Sequence, residues 1–170
     1  RKYYGSNAGN STAGLAFGGE PADPSRRDSE TFNGSSWAEA ANLNTGRESI
    51  SGTGTQTSGI ACGGSTPGGN SGLTEEFNGS SWTEVADLNT ARQSFSMTGA
   101  NAEAAIAFGG NISPKAQTES WNGSSWTEVN EMNTGRTHMN TAGNGTQTAG
   151  LLSTGYTTTA VYNVESWNGS

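Results

Sequence analysis

Apolar, aromatic and polar positions return along this chain at a long, fixed spacing. Phe32-Asn33-Gly34-Ser35-Ser36-Trp37 comes back as Phe77-Asn78-Gly79-Ser80-Ser81-Trp82 and as Trp121-Asn122-Gly123-Ser124-Ser125-Trp126. A further copy starts at Trp167-Asn168-Gly169-Ser170. The leading aromatics lie 45, 44 and 46 positions apart, and a period of that size marks a repeat architecture. An arginine holds one phase of every repeat (Arg1, Arg47, Arg92, Arg136), which divides the chain into units 1–46, 47–91, 92–135 and an incomplete 136–170.

Within a unit the pattern predicts four short strands. The first is expected directly after the arginine, at Lys2 to Ala8, Glu48 to Thr53, Gln93 to Thr98 and Thr137 to Ala142. The second is the most apolar: Ala13 to Phe17, Ser58 to Cys62, Ala104 to Phe108 and Ala149 to Leu152. Three copies end in a glycine pair (Gly18-Gly19, Gly63-Gly64, Gly109-Gly110), which permits positive φ or close backbone approach. The fourth has Ser153-Thr154-Gly155 instead, so its unit is expected to be looser or differently bent. The third and fourth strands flank Asn-Gly, the strongest short-range hairpin signal, in a loop of either two residues or the four of Asn-Gly-Ser-Ser. Trp37, Trp82 and Trp126 open the fourth strand, and Asn-Thr-Gly or Asn-Thr-Ala turns lead into the next arginine. No run has helical periodicity, so the expected class is all-β.

Four antiparallel strands per unit, a glycine pair closing strand two, an aromatic in strand three and a Trp opening strand four resemble the Kelch family of β-propellers. The resemblance covers the whole chain and implies a Kelch-like arc of about four four-stranded blades, the last incomplete. The Asn-Gly-Ser-Ser-Trp-Thr-Glu-Val and Asn-Thr-Gly-Arg repeats also resemble those of marine bacteriophage virion proteins. Kelch-like propellers usually close with more than four blades, and raw sheet edges are an aggregation hazard. Residues 1–170 are therefore expected to be one repeat domain within a longer chain, or an arc whose open edges partner subunits cover, as in a homo-oligomer.

Charge narrows the partners. With a net charge of −7 and only eight Lys and Arg, nucleic acid is not an expected partner, since phosphate binding needs clustered cations. No apolar run nears the roughly 20 residues of a membrane-spanning helix, and no membrane insertion is expected. The lone cysteine, Cys62, has no partner for an internal disulfide and stands where other units have Phe17 and Phe108, so it reads as core. One His (His138) and one Cys do not make a metal site, which needs several ligands, and no cofactor is expected.

One arginine and one glutamate recur per unit: Arg1, Arg47, Arg92, Arg136 with Glu30, Glu75, Glu119, Glu165. A buried pair linking strands or units explains the repetition, because a lone buried charge is costly. A ring of arginines clasping an acidic ligand is the alternative, although binding sites usually break repeat symmetry. Gly-Ser-Ser-Trp is similar to the tail of the sialidase Asp-box turn, but Phe32, Phe77 and Trp121 stand in place of its Asp. Glycoside hydrolysis also needs two carboxylates held apart in one pocket, and no non-repeating pair stands out, so the chain is read as a non-enzyme.

The segments after strand two differ in every unit: 20–28, 65–72, 111–117 and 156–163. They are expected on one face, and variable loops on a rigid scaffold are how binding surfaces are usually built. Arg26, Arg27, Lys115, Tyr156 and Tyr162 are the candidate binding residues. The expected function is a binding or adhesion module, on a phage tail fibre or virion surface or otherwise extracellular, recognising a host glycan or protein. A purely structural virion or filament subunit bound to other virion subunits, and a sialidase-like glycan-processing propeller, are the alternatives.

Overall fold

The computed structural model describes residues 5–19, 27–141 and 145–170. These are all-β, without an α-helix, and their sheets are antiparallel and follow the repeat. The first sheet is β1 (Ser6–Gly9), β2 (Gly14–Phe17), β3 (Ser29–Phe32) and β4 (Trp37–Ala40). The second unit holds β5 (Ser51–Thr55), β6 (Ser58–Cys62), a ribbon of β7 (Ser65–Thr66) and β8 (Gly69–Asn70), then β9 (Thr74–Phe77) and β10 (Trp82–Val85). The third sheet is β11 (Ser96–Asn101), β12 (Ala104–Phe108), β13 (Thr118–Trp121) and β14 (Trp126–Val129). The fourth contributes three strands, β15 (Asn140–Thr141), β16 (Gly150–Ser153) and β17 (Val164–Trp167). First strands of successive sheets lie against one another, β1 on β5, β5 on β11 and β11 on β15.

The hairpin loop has four residues, because Phe32 pairs with Trp37, Phe77 with Trp82 and Trp121 with Trp126. Its conformation is written by the Asn side chain. Asn78 Oδ1 accepts from the Ser80 N–H at 3.0 Å, the Ser80 hydroxyl at 2.9 Å and the Ser81 N–H at 3.0 Å, an Asx turn. Gly79 between them takes φ 94°. The same bonds recur around Asn33 and Asn122.

First strands begin later than the sequence pattern suggested, at Ser51 and Ser96 rather than directly after the arginine. The cause is a left-handed residue two places beyond each arginine: Ser49 (φ 50°), Ser94 (φ 55°) and His138 (φ 52°). A residue there cannot continue an extended run. The Ser94 N–H donates to the Ser49 carbonyl at 3.2 Å and the His138 N–H to the Ser94 carbonyl at 2.8 Å. The kink thus stitches one sheet to the next.

Three apolar clusters fill the spaces between successive sheets. Leu15 and Phe17 meet Ile50, Ala61, Phe77 and Trp82. Ile60 and Cys62 meet Phe95, Met97, Ala105, Ala107, Trp121 and Trp126. Ile106 and Phe108 meet Met139 and Leu152, with Trp167 alongside. The second strands of the first three sheets therefore point their larger side chains forward and smaller ones, such as Ala61 and Ala107, backward, whereas the fourth turns Leu152 backward against Ile106 and Phe108. Trp82 and Trp126 reach back across their interfaces, their indole N–H groups donating to the Ser29 and Thr74 hydroxyls at 3.1 Å. Both are 6% exposed, whereas Trp37, with no described sheet behind it, is 53% exposed.

The glycine pairs bend the chain out of strand two. Gly63 and Gly64 take φ 60° and 99°, Gly109 and Gly110 60° and 113°. A Cβ on Gly63 would lie 2.6 Å from the Arg92 carbonyl oxygen, so close approach as well as φ requires glycine. The fourth unit departs from the expectation of a different bend: Thr154 (φ 57°) and Gly155 (φ 124°) take the same left-handed pair. Interlocking with Arg136 and Thr137 imposes the bend even on a β-branched residue. Thr154→Gly should therefore stabilise the protein by about 0.5–1 kcal/mol, the ~1–2 kcal/mol of left-handed strain less the added freedom of the unfolded glycine. A urea midpoint that stays put or falls would show that the Thr154 side chain contributes more than the strain it bears.

Candidate functional site

Arg47, Arg92 and Arg136 are each buried in a clamp that joins two units. Arg92 is fully buried and its guanidinium pairs with the equally buried Glu119. Its Nη1 also donates to the carbonyls of Gly109 (3.1 Å) and Gln117 (3.0 Å), and its Nε to that of Thr90 (3.2 Å). Glu119 in turn accepts the Asn89 N–H at 2.7 Å and the Asn89 side-chain amide at 2.9 Å, so the inter-unit turn is held by the carboxylate. Arg47–Glu75 at 2.8 Å and Arg136–Glu165 at 2.7 Å repeat the arrangement. Burial pushes the Arg47 and Arg92 guanidiniums below the usual arginine range, and the paired carboxylates pull them back up. The backbone carbonyls of the same arginines accept the N–H of the preceding unit's second glycine: Gly19 to Arg47 at 2.9 Å, Gly64 to Arg92 at 2.8 Å, Gly110 to Arg136 at 3.1 Å. Arginines with no exposed surface cannot clasp a ligand, so they act as ties. Arg1, the expected counterpart of Glu30, lies outside the described residues.

The loops after strand two in neighbouring units touch, so the last three share one side of the molecule. Asn70 Nδ2 donates to the Asn111 carbonyl at 3.0 Å, and Lys115 Nζ to the Thr157 carbonyl at 2.9 Å. Lys115 is also held through its own carbonyl by the Arg136 N–H at 3.2 Å. Arg27 is exposed and tethered to Leu43: its Nε donates to the Leu43 carbonyl at 3.1 Å and its carbonyl accepts the Leu43 N–H at 2.8 Å. Arg26 lies outside the described residues.

Two of the candidate residues come together. A shallow cleft of about 540 Å³ is lined by His138, Tyr156, Val161 and Tyr162 among others. Tyr156 is 48% and Tyr162 83% exposed, so both rings present a face to solvent. Their loop is braced at its base. Tyr156 and Thr137 exchange backbone bonds at 2.9 Å, and the Val161 N–H donates to the Gly155 carbonyl at 3.0 Å. Lys115 supports the same loop through Thr157, while Arg27 does not line the cleft. His138 was not an expected contributor; it reaches the cleft because its left-handed backbone turns the side chain outward, and its Nδ1 lies 2.8 Å from the Thr137 hydroxyl.

Other features also escaped the pattern. Gln56 reaches back to the preceding sheet, its Nε2 donating to the Phe32 carbonyl at 2.8 Å, and Gln147 does the same toward Ser120 at 2.9 Å. The only hint was the Gly-Thr-Gln turn shared by units two and four. The turns between first and second strands of all four units border an opening of about 430 Å³. Among the described residues no group of three His, Cys, Asp or Glu side chains gathers as a metal site.

No protein-family profile matches the chain, and a search of curated proteins finds no match either. The site is therefore read from its own geometry.

Cys62 tests how closed the sheet interface is. Its thiol is fully buried against Met97, and burial pushes its pKa far above the usual thiol range. A raised pKa means the neutral thiol persists throughout mildly alkaline solution, and the thiolate is the reactive form. A disulfide reagent at pH 8 should label the native protein at least 100-fold more slowly than the urea-unfolded chain. Equal rates would contradict the packing described for the second and third sheets.

Proposed function

We propose that this chain is a non-enzymatic binding module, an arc of a Kelch-like propeller that displays its strand-two loops toward a host-surface glycan or protein. The setting is a phage tail fibre or virion surface, on the resemblance of the repeats to those of marine bacteriophage virion proteins. The observation that carries the reading is the pair of exposed tyrosines on one cleft wall. An exposed Tyr offers a large, rigid face with a polar tip, which suits stacking on a sugar ring or an aromatic anchor from a protein. The braced loop beneath them lowers the ordering entropy that binding must overcome. The cleft breaks repeat symmetry, which the buried arginine clamps do not.

The alternative is a purely structural virion or filament subunit. A purely structural role predicts that the cleft is idle.

Screening labelled protein against host-surface glycans and intact host cells tests the proposal. Tyr162→Ala and Tyr156→Ala should each weaken attachment about tenfold or more, as central aromatic anchors do, with the urea midpoint unchanged. Attachment that survives the double substitution intact would overturn the assignment of the cleft.

A further inference from the structure

The joints between units are not all tied alike at the turns that lead from first to second strands. Between units one and two, Gln56 Nε2 donates to the Gly14 carbonyl at 3.2 Å and the Phe32 carbonyl at 2.8 Å. Between units three and four, Gln147 Nε2 donates to the Ser120 hydroxyl at 2.9 Å and to the Trp121 carbonyl. The middle joint lacks this donor, because Ala102 holds the glutamine position. Two contacts establish the equivalence. The Ala102 and Gln147 carbonyls accept the indole N–H of Trp121 and Trp167 at 2.8 and 2.9 Å. The residues that follow them, Glu103 and Thr148, lie against the hairpin-loop glycines Gly123 and Gly169.

Two carboxyls stand where the missing amide would act. Glu76 pairs with Ile60 as Ser120 pairs with Ile106, so it takes the place of the hydroxyl that Gln147 reaches. Glu103 stands where the neighbouring turns have Thr57 and Thr148. Glu76 is half-buried, and each element packed against it can be named. The β11–β12 turn brings the Glu103 carboxylate and β13 the Trp121 indole, while β6 and β10 set the uncharged Ile60 and Thr83 beside it in register. Burial holds the Glu76 carboxyl above the usual carboxylate range; the indole N–H lowers it and the Glu103 charge raises it again.

We propose that the middle joint is an acid-sensitive fastening, in which a proton taken up by Glu76 ends its repulsion from Glu103 and supplies the donor that Gln56 and Gln147 provide elsewhere. A protonated carboxyl carries one O–H donor. The counterparts of the Gly14 and Phe32 carbonyls at this joint are those of Gly59 and Phe77. The joint is loosest at neutral pH and tightens on acidification. A carboxyl that binds its proton more tightly in the folded chain adds stability as pH falls through its folded pKa. That stability is fully present below the ordinary Glu value of about 4.3. The inference is independent of what the tyrosine cleft binds.

Urea denaturation of the full 170-residue chain between about pH 7 and about pH 4 tests it. Each variant is compared with wild type at the same pH, so that the other carboxyls cancel. Glu76→Gln is neutral and a donor throughout. It should lower the unfolding constant about threefold or more at neutral pH, the worth of one hydrogen bond, and the difference should vanish toward about pH 4. Ala102→Gln, which restores the amide of the other joints, should lose its advantage in the same way. In a Glu103→Gln background the advantage of Glu76→Gln should shrink. No advantage of Glu76→Gln at neutral pH, or one that persists undiminished at about pH 4, would overturn the proposal. So would an advantage of equal size in the Glu103→Gln background, because the two carboxyls would then not act on each other.

Discussion

A buried arginine is kept where its charge is paired and most of its donors are answered, and that requirement organises each described joint between units. At Arg136 the Nε alone has no acceptor among the described residues. The guanidinium of Arg92 is answered by Glu119 on strand three and by carbonyls at the end of strand two and the start of strand three. The carboxylate then has acceptor capacity left, which the Asn89-Thr90 turn fills. The arginine's own carbonyl takes the second glycine N–H of the preceding sheet. One residue thus fixes strand spacing within its sheet and the approach of its neighbour. Removing either charge leaves the other stranded in a medium that cannot solvate it.

Hydrophobic packing does the rest, and it is directional. In the first three sheets larger side chains point forward from strand two and small ones backward, so each fits behind the next, and the fourth sheet adds Leu152 from its backward face. The indole N–H of Trp82 or Trp126 would be unsatisfied in such a dry interface without the hydroxyl of Ser29 or Thr74. Meanwhile the loop after strand two of the fourth unit leaves Tyr156 and Tyr162 open to solvent, apart from the buried clamps. A binding role is therefore compatible with so constant a scaffold.

Much of this was legible in the residues. Strands two, three and four, the hairpin at Asn-Gly and the recurrence of Arg with Glu all follow from local chemistry repeated at fixed phase, whereas the four-residue length of the loop came only from the Phe77–Trp82 pairing and its equivalents. Tyr156 and Tyr162 were legible as candidates, though not as neighbours on one cleft with His138. What stayed hidden depends on contacts between units. Ser49, Ser94 and His138 carry no glycine signature, yet tertiary bonding holds them left-handed and delays the first strand. Thr154 takes the bend of Gly63 and Gly109 because its surroundings determine it. Gln56 and Gln147 look like ordinary turn residues until the preceding sheet supplies their acceptors.

The central claim is that the arginine and glutamate of a unit act as one tie rather than as two separate contributions. A double-mutant cycle on Arg92→Met and Glu119→Gln, read by urea denaturation, measures that directly. Each single substitution should destabilise by about 3–5 kcal/mol by stranding its partner. The double variant should lose at least about 2 kcal/mol less than the two combined. Additive losses would mean that the two side chains are held independently, and the account of how the units are joined would be wrong.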